Sequence, residues 1–268
     1  MIAPNDEPPA SVRAAFGATA APRRLAGGKN GTWRCGQVVL KPAEGEAETV
    51  WRCGVLETLP ESGFRVARPL RTTTNTGGGG WLAAGWEAAR FVTGTADQRR
   101  VDDVIGAGEA FHRAIAALPR PSFLDTRDDP WANGDRLAWG EPGPRIDAPS
   151  PSLTTLFEAR RPIALPAQLV HGDLLGNVLF APGRPPAIID WPAYWRPPDW
   201  ASAVAVVDAL CWHGGDPSLL GRWSHLREWR QLLIRALIYR MSTTAAAGWR
   251  DEPPEYAPVV RLVVACDG

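Results

Sequence analysis

The sequence is poor in lysine. Of its 29 basic residues only Lys29 and Lys41 are lysines, and the rest are arginines. Where arginine is the default cation, a lysine marks a task for a compact ammonium rather than a planar fork. An excess of one charge is missing too: 29 acidic residues match the 29 basic ones, and the formal net charge is zero. A nucleic-acid surface needs a clustered basic excess, so that class of partner is not expected. No run of 18 apolar residues occurs, so no membrane-spanning helix is expected. The opening MIAPNDEPPASVRAAFG holds acids and prolines without an apolar stretch, unlike a secretory leader. The four cysteines, Cys35, Cys53, Cys211 and Cys266, are scattered with no CxxC pair, which argues against zinc ribbons and redox motifs. They are expected to be reduced and mostly buried, in a cytoplasmic protein. GxxxxGK followed by Ser or Thr, GxGxxG and GxSxG are all absent. P-loop ATPases, dinucleotide-binding enzymes and α/β-hydrolases therefore have no anchor here.

What is present reads as an α+β chain in two lobes. With 268 residues, 45% of them hydrophobic, a sizeable core is expected. Residues 22–41 carry β-branched and aromatic residues between glycine turns and read as two or three short strands. Residues 44–59 read as a helix with acids in its first turns and Trp51, Val55 and Leu59 on one face. Two more strands are expected over 64–70 and 81–92, joined by the loop TTTNTGGGG, whose glycines read as a linker rather than a phosphate cradle. Residues 1–92 thus form a β-rich lobe. Residues 93–268 form a helical one, with helices expected over 99–118, near 152–160, over 198–212, and from Leu219 to Met241 as an amphipathic stretch. The segment up to residue 150 reads as irregular. Trp191, Trp195, Trp200 and Trp212 read as core rather than as a cage for a cation. HGGD at 213–216 reads as a helix-ending turn.

The chemistry concentrates in VHGDLLGNVLF (170–180) and IIDW (188–191). A phosphoryl-transfer site must hold a divalent cation on the nucleotide, orient the attacking hydroxyl and neutralise spreading charge with a fixed cation. Mg2+ takes hard oxygen ligands, one or two of them from the protein. Asn177 and Asp190 fit that need, and Asp173 would accept the acceptor proton or aim the hydroxyl. Lys41, at a strand end, would reach the α/β-phosphates. A glutamate of the next helix would hold it; Glu48 lies nearest the middle of that helix, with Glu44 and Glu46 as alternatives.

LVHGDLLGNVLF followed by AIIDW resembles the aminoglycoside phosphotransferase and choline-kinase-like family, a branch of the protein-kinase-like fold. LAGGKNGTWRCGQVVLK is similar to that family's first hairpin and Lys-bearing strand. WLAAGWEAARFVTGT is similar to the strand and hinge that pass the adenine, which implicates Trp86 and Ala88. AGEAFHRAIAAL resembles its helix with a Leu-His pair, here Phe111-His112. RPPDWASA resembles its D-P-x-x-D-L-A segment. The resemblance spans residues 22–212. It implies a small β-rich lobe, a larger helical lobe, ATP and Mg2+ as cofactors, and a small-molecule acceptor as partner. It also implies structural support from His171 and from Asp199, bracing the catalytic loop at a helix N-terminus.

The chain departs from the family at one point. The family places five steps between the catalytic Asp and the Asn, whereas Asp173 and Asn177 are four apart. Gly176 can supply the unusual φ that a tighter loop needs. Either Asn177 reaches the metal by a shorter path, or its ligand role is weakened. The alternative to a kinase is therefore a pseudokinase-like module that holds a nucleotide without transfer, and beyond that a kinase-like scaffold. The acceptor, the choice of ATP over GTP and the oligomeric state are not readable. Asp125, Asp128, Asp129, Asp135 and Glu141 make only a modest acidic surface, which gives no ground for a polycationic acceptor.

Overall fold

A computed structural model describes residues 6–26, 31–73, 80–143, 145–248 and 251–265. Lys29, most of the TTTNTGGGG loop and Cys266 lie outside the described residues. The chain divides into two compact units, Met1–Gly94 with Phe180–Ile189, and Thr95–Leu179 with Asp190–Gly268.

In the first unit, helix α1 (Ala10–Ala15) precedes a five-stranded antiparallel sheet. Its order is β1 (Arg23–Arg24), β2 (Trp33–Cys35), β3 (Val38–Pro42), β6 (Trp86–Arg90) and β5 (Leu82–Ala83). Strand side chains alternate between faces. Leu40, Trp86 and Ala88 pack on one face with Val12 and Phe16 from around α1. Lys41 and Glu87, paired across β3 and β6, fall on the other.

Helix α2 (Glu46–Thr58) carries Glu46 and Glu48 in its first turn. Its buried residues are Thr49, Arg52 and Cys53; of the expected stripe, Leu59 just past the helix end is buried, while Trp51 and Val55 are half-buried. The helix is rotated because Arg52 reaches a buried carboxylate of the sheet, described below. The segment expected as a strand over 64–70 contributes only β4 (Arg65–Val66). It pairs in parallel with β10 (Ala187–Ile188), Arg65 with Ala187 and Val66 with Ile188. That pairing is why Phe180–Ile189, expected in the second lobe, belongs to the first unit.

The second unit opens with β7 (Thr95–Ala96) and helix α3 (Val101–Ile115). A 3₁₀ turn (Ser122–Asp125) and helix α4 (Pro130–Trp139) follow, where irregular chain was expected. The signals for α4 are local. Asp129 caps it by accepting from the Trp131 and Ala132 N–H groups, Pro130 starts it, and Gly140 ends it at φ +70°. Gly134 looks like a breaker but serves packing. A Cβ there would lie 2.7 Å from the Tyr239 carbonyl oxygen and 2.4 Å from Thr243 Oγ1.

Helix α5 (Pro151–Ala159), capped by Ser150, leads to β8 (Gln168–His171), which pairs antiparallel with β11 (Ala193–Arg196). Helix α6 (Pro198–Trp212) is buried nearly all round, as expected of a central helix. It ends in the expected turn, with Gly214 at φ +63°. The stretch expected as one amphipathic helix is two. A short α7 (Leu219–Arg222) is followed by α8 (Trp229–Ala246), which is buried on every side from Gln231 to Thr243 because α4, α5, α6 and α9 (Tyr256–Ala265) surround it. No described helix is long and apolar enough to cross a membrane.

Candidate active site

In the first unit the chemistry gathers around Glu87. This carboxylate is 7% exposed and lies 3.7 Å from Lys41 Nζ. Arg52, from α2, donates to both its oxygens, at 2.6 and 2.8 Å. Burial opposes the Arg52 charge, but Glu87 outweighs it and Glu48 adds to it, so the guanidinium is held charged well above its ordinary range. Burial, then the Glu87 charge, pushes the Cys53 thiol up to about 12, which leaves it inert. Glu48 is half-buried on α2, while Glu44 and Glu46 are exposed. Nothing in the sequence motif marked Glu87; only period-two alternation from Lys41's partner strand could have found it. That same alternation turns the Trp86 and Ala88 side chains into the core on the opposite face, away from Lys41.

In the second unit the loop from His171 leads to β9 (Val178–Phe180). Gly172 has no room for a side chain, because a Cβ would meet the Tyr194 ring at 2.4 Å. Its N–H donates to the Pro192 carbonyl at 3.4 Å. Leu174 and Leu175 are buried, with Leu174 seated over Gly108 of α3. Gly176 takes φ +93°, the conformation the short loop needs.

His171 is fully buried, and its Nδ1 accepts the Asp173 backbone N–H at 3.2 Å. His112 Nε2 accepts the His171 backbone N–H at 3.0 Å. Burial, with the neighbouring His171 and Arg113 charges, pulls His112 down to about 3, so it stays neutral and accepting. Both histidines thus accept from backbone N–H groups of the loop segment.

Asp173 keeps its side chain 40% exposed and has both oxygens engaged. Arg240, from α8, donates to Oδ1 at 2.5 Å. Asn177 Nδ2 donates to Oδ2 at 3.0 Å and to the Asp173 carbonyl at 2.7 Å. Two acceptor oxygens at hydrogen-bond distance demand the NH2 end of the amide there. Asn177 Oδ1 is thereby left on the other side of the amide.

Asp190 follows β10 and is exposed, not buried as the apolar AII run implied. The argument from the cost of a buried carboxylate does not apply to it. Its backbone is instead left-handed, at φ 52°, an uncommon conformation for a side-chain-bearing residue and one that collects at functional sites. Asp199 does not brace the loop as expected. It sits half-buried in the first turn of α6 without a side-chain cap bond, and burial raises its carboxyl while the His225 charge lowers it. Pro192, His171 and Asn177 do that bracing.

Of the tryptophans, Trp191 and Trp200 are core, Trp195 is half-buried, and Trp212 is 43% exposed. Four of the five acids of the acidic surface are paired with arginines. Arg196 forks onto Asp135 and Glu141, Arg120 pairs with Asp125, and Arg127 with Asp129. All of these groups except Asp129 line a cavity of 340 Å³.

Comparisons with known proteins place this geometry. No curated protein sequence matches the chain. Among solved structures, a thermostable mutant of aminoglycoside phosphotransferase APH(4)-Ia is similar, at 16% identity and a TM-score of 0.59, over 94% of this chain and 96% of that one. An aminoglycoside phosphotransferase from Alicyclobacillus acidocaldarius is similar at 17% identity and a TM-score of 0.55, over 96% and 92%. Spectinomycin phosphotransferase APH(9)-Ia, in complex with ADP and spectinomycin, is similar at 12% identity and a TM-score of 0.54, over 94% and 90%. These likenesses fix the fold as kinase-like. The sequence model of the "Phosphotransferase enzyme family" matches residues 30–197, more than half of the chain, which therefore belongs to that family.

Proposed function

We propose that the chain transfers the γ-phosphoryl group of ATP to a hydroxyl or amine of a small molecule. The observation that carries this is the Asp173 carboxylate. It is partly exposed, at the end of a buried strand, and fixed at both oxygens. Each oxygen keeps a free lone pair, so Asp173 can still accept the acceptor's proton or aim its hydroxyl. Lys41 is the cation for the nucleotide's phosphates, with Glu87 beside it and Glu48 the candidate second carboxylate. Solved structures similar to this chain hold ADP with hygromycin B and ADP with spectinomycin, which supports a nucleotide donor and a small acceptor.

The donor set suits Mg2+. Asn177 Oδ1 is turned away from Asp173, and Asp190 is an exposed carboxylate. Among the described residues no cluster of three His, Cys, Asp or Glu could hold a metal, but Mg2+ requires only one or two protein oxygens. Bound there, the ion would screen charge on the phosphates. Four of the five acids, Asp125, Asp129, Asp135 and Glu141, are paired with arginines, which leaves a polycationic acceptor no concentrated anionic face.

Screening a metabolite library for Mg-ATP consumption tests the reading, with Asp173→Ala as control. An acceptor-dependent release of ADP that the variant lacks is expected. An Asp173→Ala chain that turns over like the wild type sinks it. Nucleotide holding without transfer is the second reading, favoured by the four-residue step to Asn177. It predicts a thermal shift with Mg-ATP and no ADP release with any acceptor.

A further inference from the structure

Arg240 is a buried cation that no motif marks. It projects from the middle of α8 and is 9% exposed. Its Nε donates to Asp208 Oδ1 at 2.8 Å, and its Nη2 contacts Asp208 Oδ2. Asp208, on α6, is itself 3% exposed. The same Nη2 also donates to Asp173 Oδ1. The Tyr239 and Trp212 rings lie 5.0 and 6.0 Å from the guanidinium carbon. Burial opposes the charge, but Asp208 and then Asp173 outweigh it, so Arg240 stays charged well above its ordinary range.

Stability alone does not account for this arrangement. A buried ion pair is often replaceable by apolar residues of similar volume without loss. Asp208 by itself already gives Arg240 a two-point carboxylate partner. The contact to Asp173 goes beyond that, and it reaches a carboxylate whose side chain is open to solvent. Arg240 on Oδ1 and Asn177 on Oδ2 together stop rotation of the Asp173 carboxylate plane. A fixed plane sets where its remaining lone pairs point, and orientation of this kind is a large part of what a phosphotransfer site supplies.

We propose that Arg240, held from behind by Asp208, is a positioning residue for the reaction, fixing the Asp173 carboxylate in the rotation that presents a lone pair to the acceptor hydroxyl. The inference rests on the reading of Asp173 given above. Arginine is required because one guanidinium must serve two carboxylates at once, which an ammonium on a single atom does less well.

The test follows ADP release from Mg-ATP by the full chain, with water as the acceptor or, where water gives no release, with the acceptor that the metabolite screen returns. The variants are Arg240→Lys, Arg240→Met, Asp208→Asn and Asp173→Asn, each checked for folding by circular dichroism and thermal unfolding. Arg240→Met is expected to lower kcat by about ten- to a hundredfold, the effect of one lost charge-assisted hydrogen bond, with KM for Mg-ATP within about twofold. Arg240→Lys should recover part of that loss, and Asp208→Asn should lower kcat without raising KM. A merely structural role would move the unfolding temperature and leave this split unseen.

An active wild type, an inactive Asp173→Asn and a folded Arg240→Met at the wild-type kcat overturn this inference alone. If Arg240→Met does not fold, a folded Arg240→Lys at the wild-type kcat overturns it equally. A wild type that releases no ADP with water or with any acceptor of the metabolite library, or an Asp173→Asn that matches it, overturns the phosphotransfer reading and this inference with it.

Discussion

Asn177 turns the NH2 end of its amide toward Asp173, donating to the carboxylate at 3.0 Å and to the backbone carbonyl at 2.7 Å. The four-residue step between the two makes this possible, because it closes one turn of chain on itself. Asn177 thus has two possible tasks, donor to Asp173 and oxygen ligand to a metal, and they are separable. Asn177→Asp would keep an oxygen ligand but set a second carboxylate against Asp173. The loss of a charge-assisted hydrogen bond is worth about 1.5–3 kcal/mol, so kcat is expected to fall on the order of tenfold or more. ADP release measured across a Mg2+ titration decides it. An Asn177→Asp chain as active as the wild type would mean that only the oxygen matters.

Glu87 is the partner of a buried arginine, so its removal strands a charge. Glu87→Gln is expected to cost about 3–5 kcal/mol in urea unfolding, the usual penalty for breaking a buried pair from one side. Changing both members, Arg52→Met with Glu87→Leu, should cost less than Glu87→Gln alone. The reverse order of stabilities would show that the pair contributes net stability rather than mutual neutralisation.

His112 makes stability depend on pH. Its folded value is lowered to about 3, against an ordinary value of 6.5. Between these limits the unfolded chain binds the proton and the folded chain does not. The stabilisation is therefore complete above about pH 6.5 and lost as pH falls toward 3, at up to about 1.4 kcal/mol per pH unit. His112→Gln retains an acceptor for the His171 N–H and removes this titration. Unfolding free energies at several values between pH 4 and 6 should fall less steeply for the variant. Equal slopes would show that His112 does not titrate on unfolding.

Gly134 sits mid-helix, where alanine is ordinarily better by about 1 kcal/mol. Here backbone blocks the added methyl, with the Tyr239 carbonyl at 2.7 Å and the Thr243 nitrogen at 3.0 Å. Overpacking typically costs about 1–3 kcal/mol, so Gly134→Ala should destabilise. A thermal unfolding midpoint at or above the wild type's would show that α4 and α8 can separate at no cost.

Much of this was legible in the sequence. Lys41 stood out because arginine fills nearly every other basic position, and Gly176 was readable because only glycine enters the needed φ cheaply. The α4 helix was masked by its surroundings of proline and aspartate, although Asp129, Pro130 and Gly140 spell out its caps. No motif marked Glu87 or Arg240. Each is a charged residue inside an apolar-looking element, and its meaning depends on a partner 35 or 67 residues away, Arg52 in one case and Asp173 in the other. Asp190 misled in a different way: an apolar run before it implied burial, but the buried strand ends at Ile188, Ile189 is half-buried and Asp190 is exposed.

The left-handed backbone of Asp190 changes how its substitutions should be interpreted. At φ 52° aspartate, asparagine and glycine are tolerated, whereas alanine or glutamate carries a conformational penalty on the order of 1 kcal/mol before any chemistry is lost. An alanine scan would therefore credit the carboxylate with energy that belongs to the main chain. Asparagine is the replacement that isolates the charge, and glycine the one that isolates the side chain.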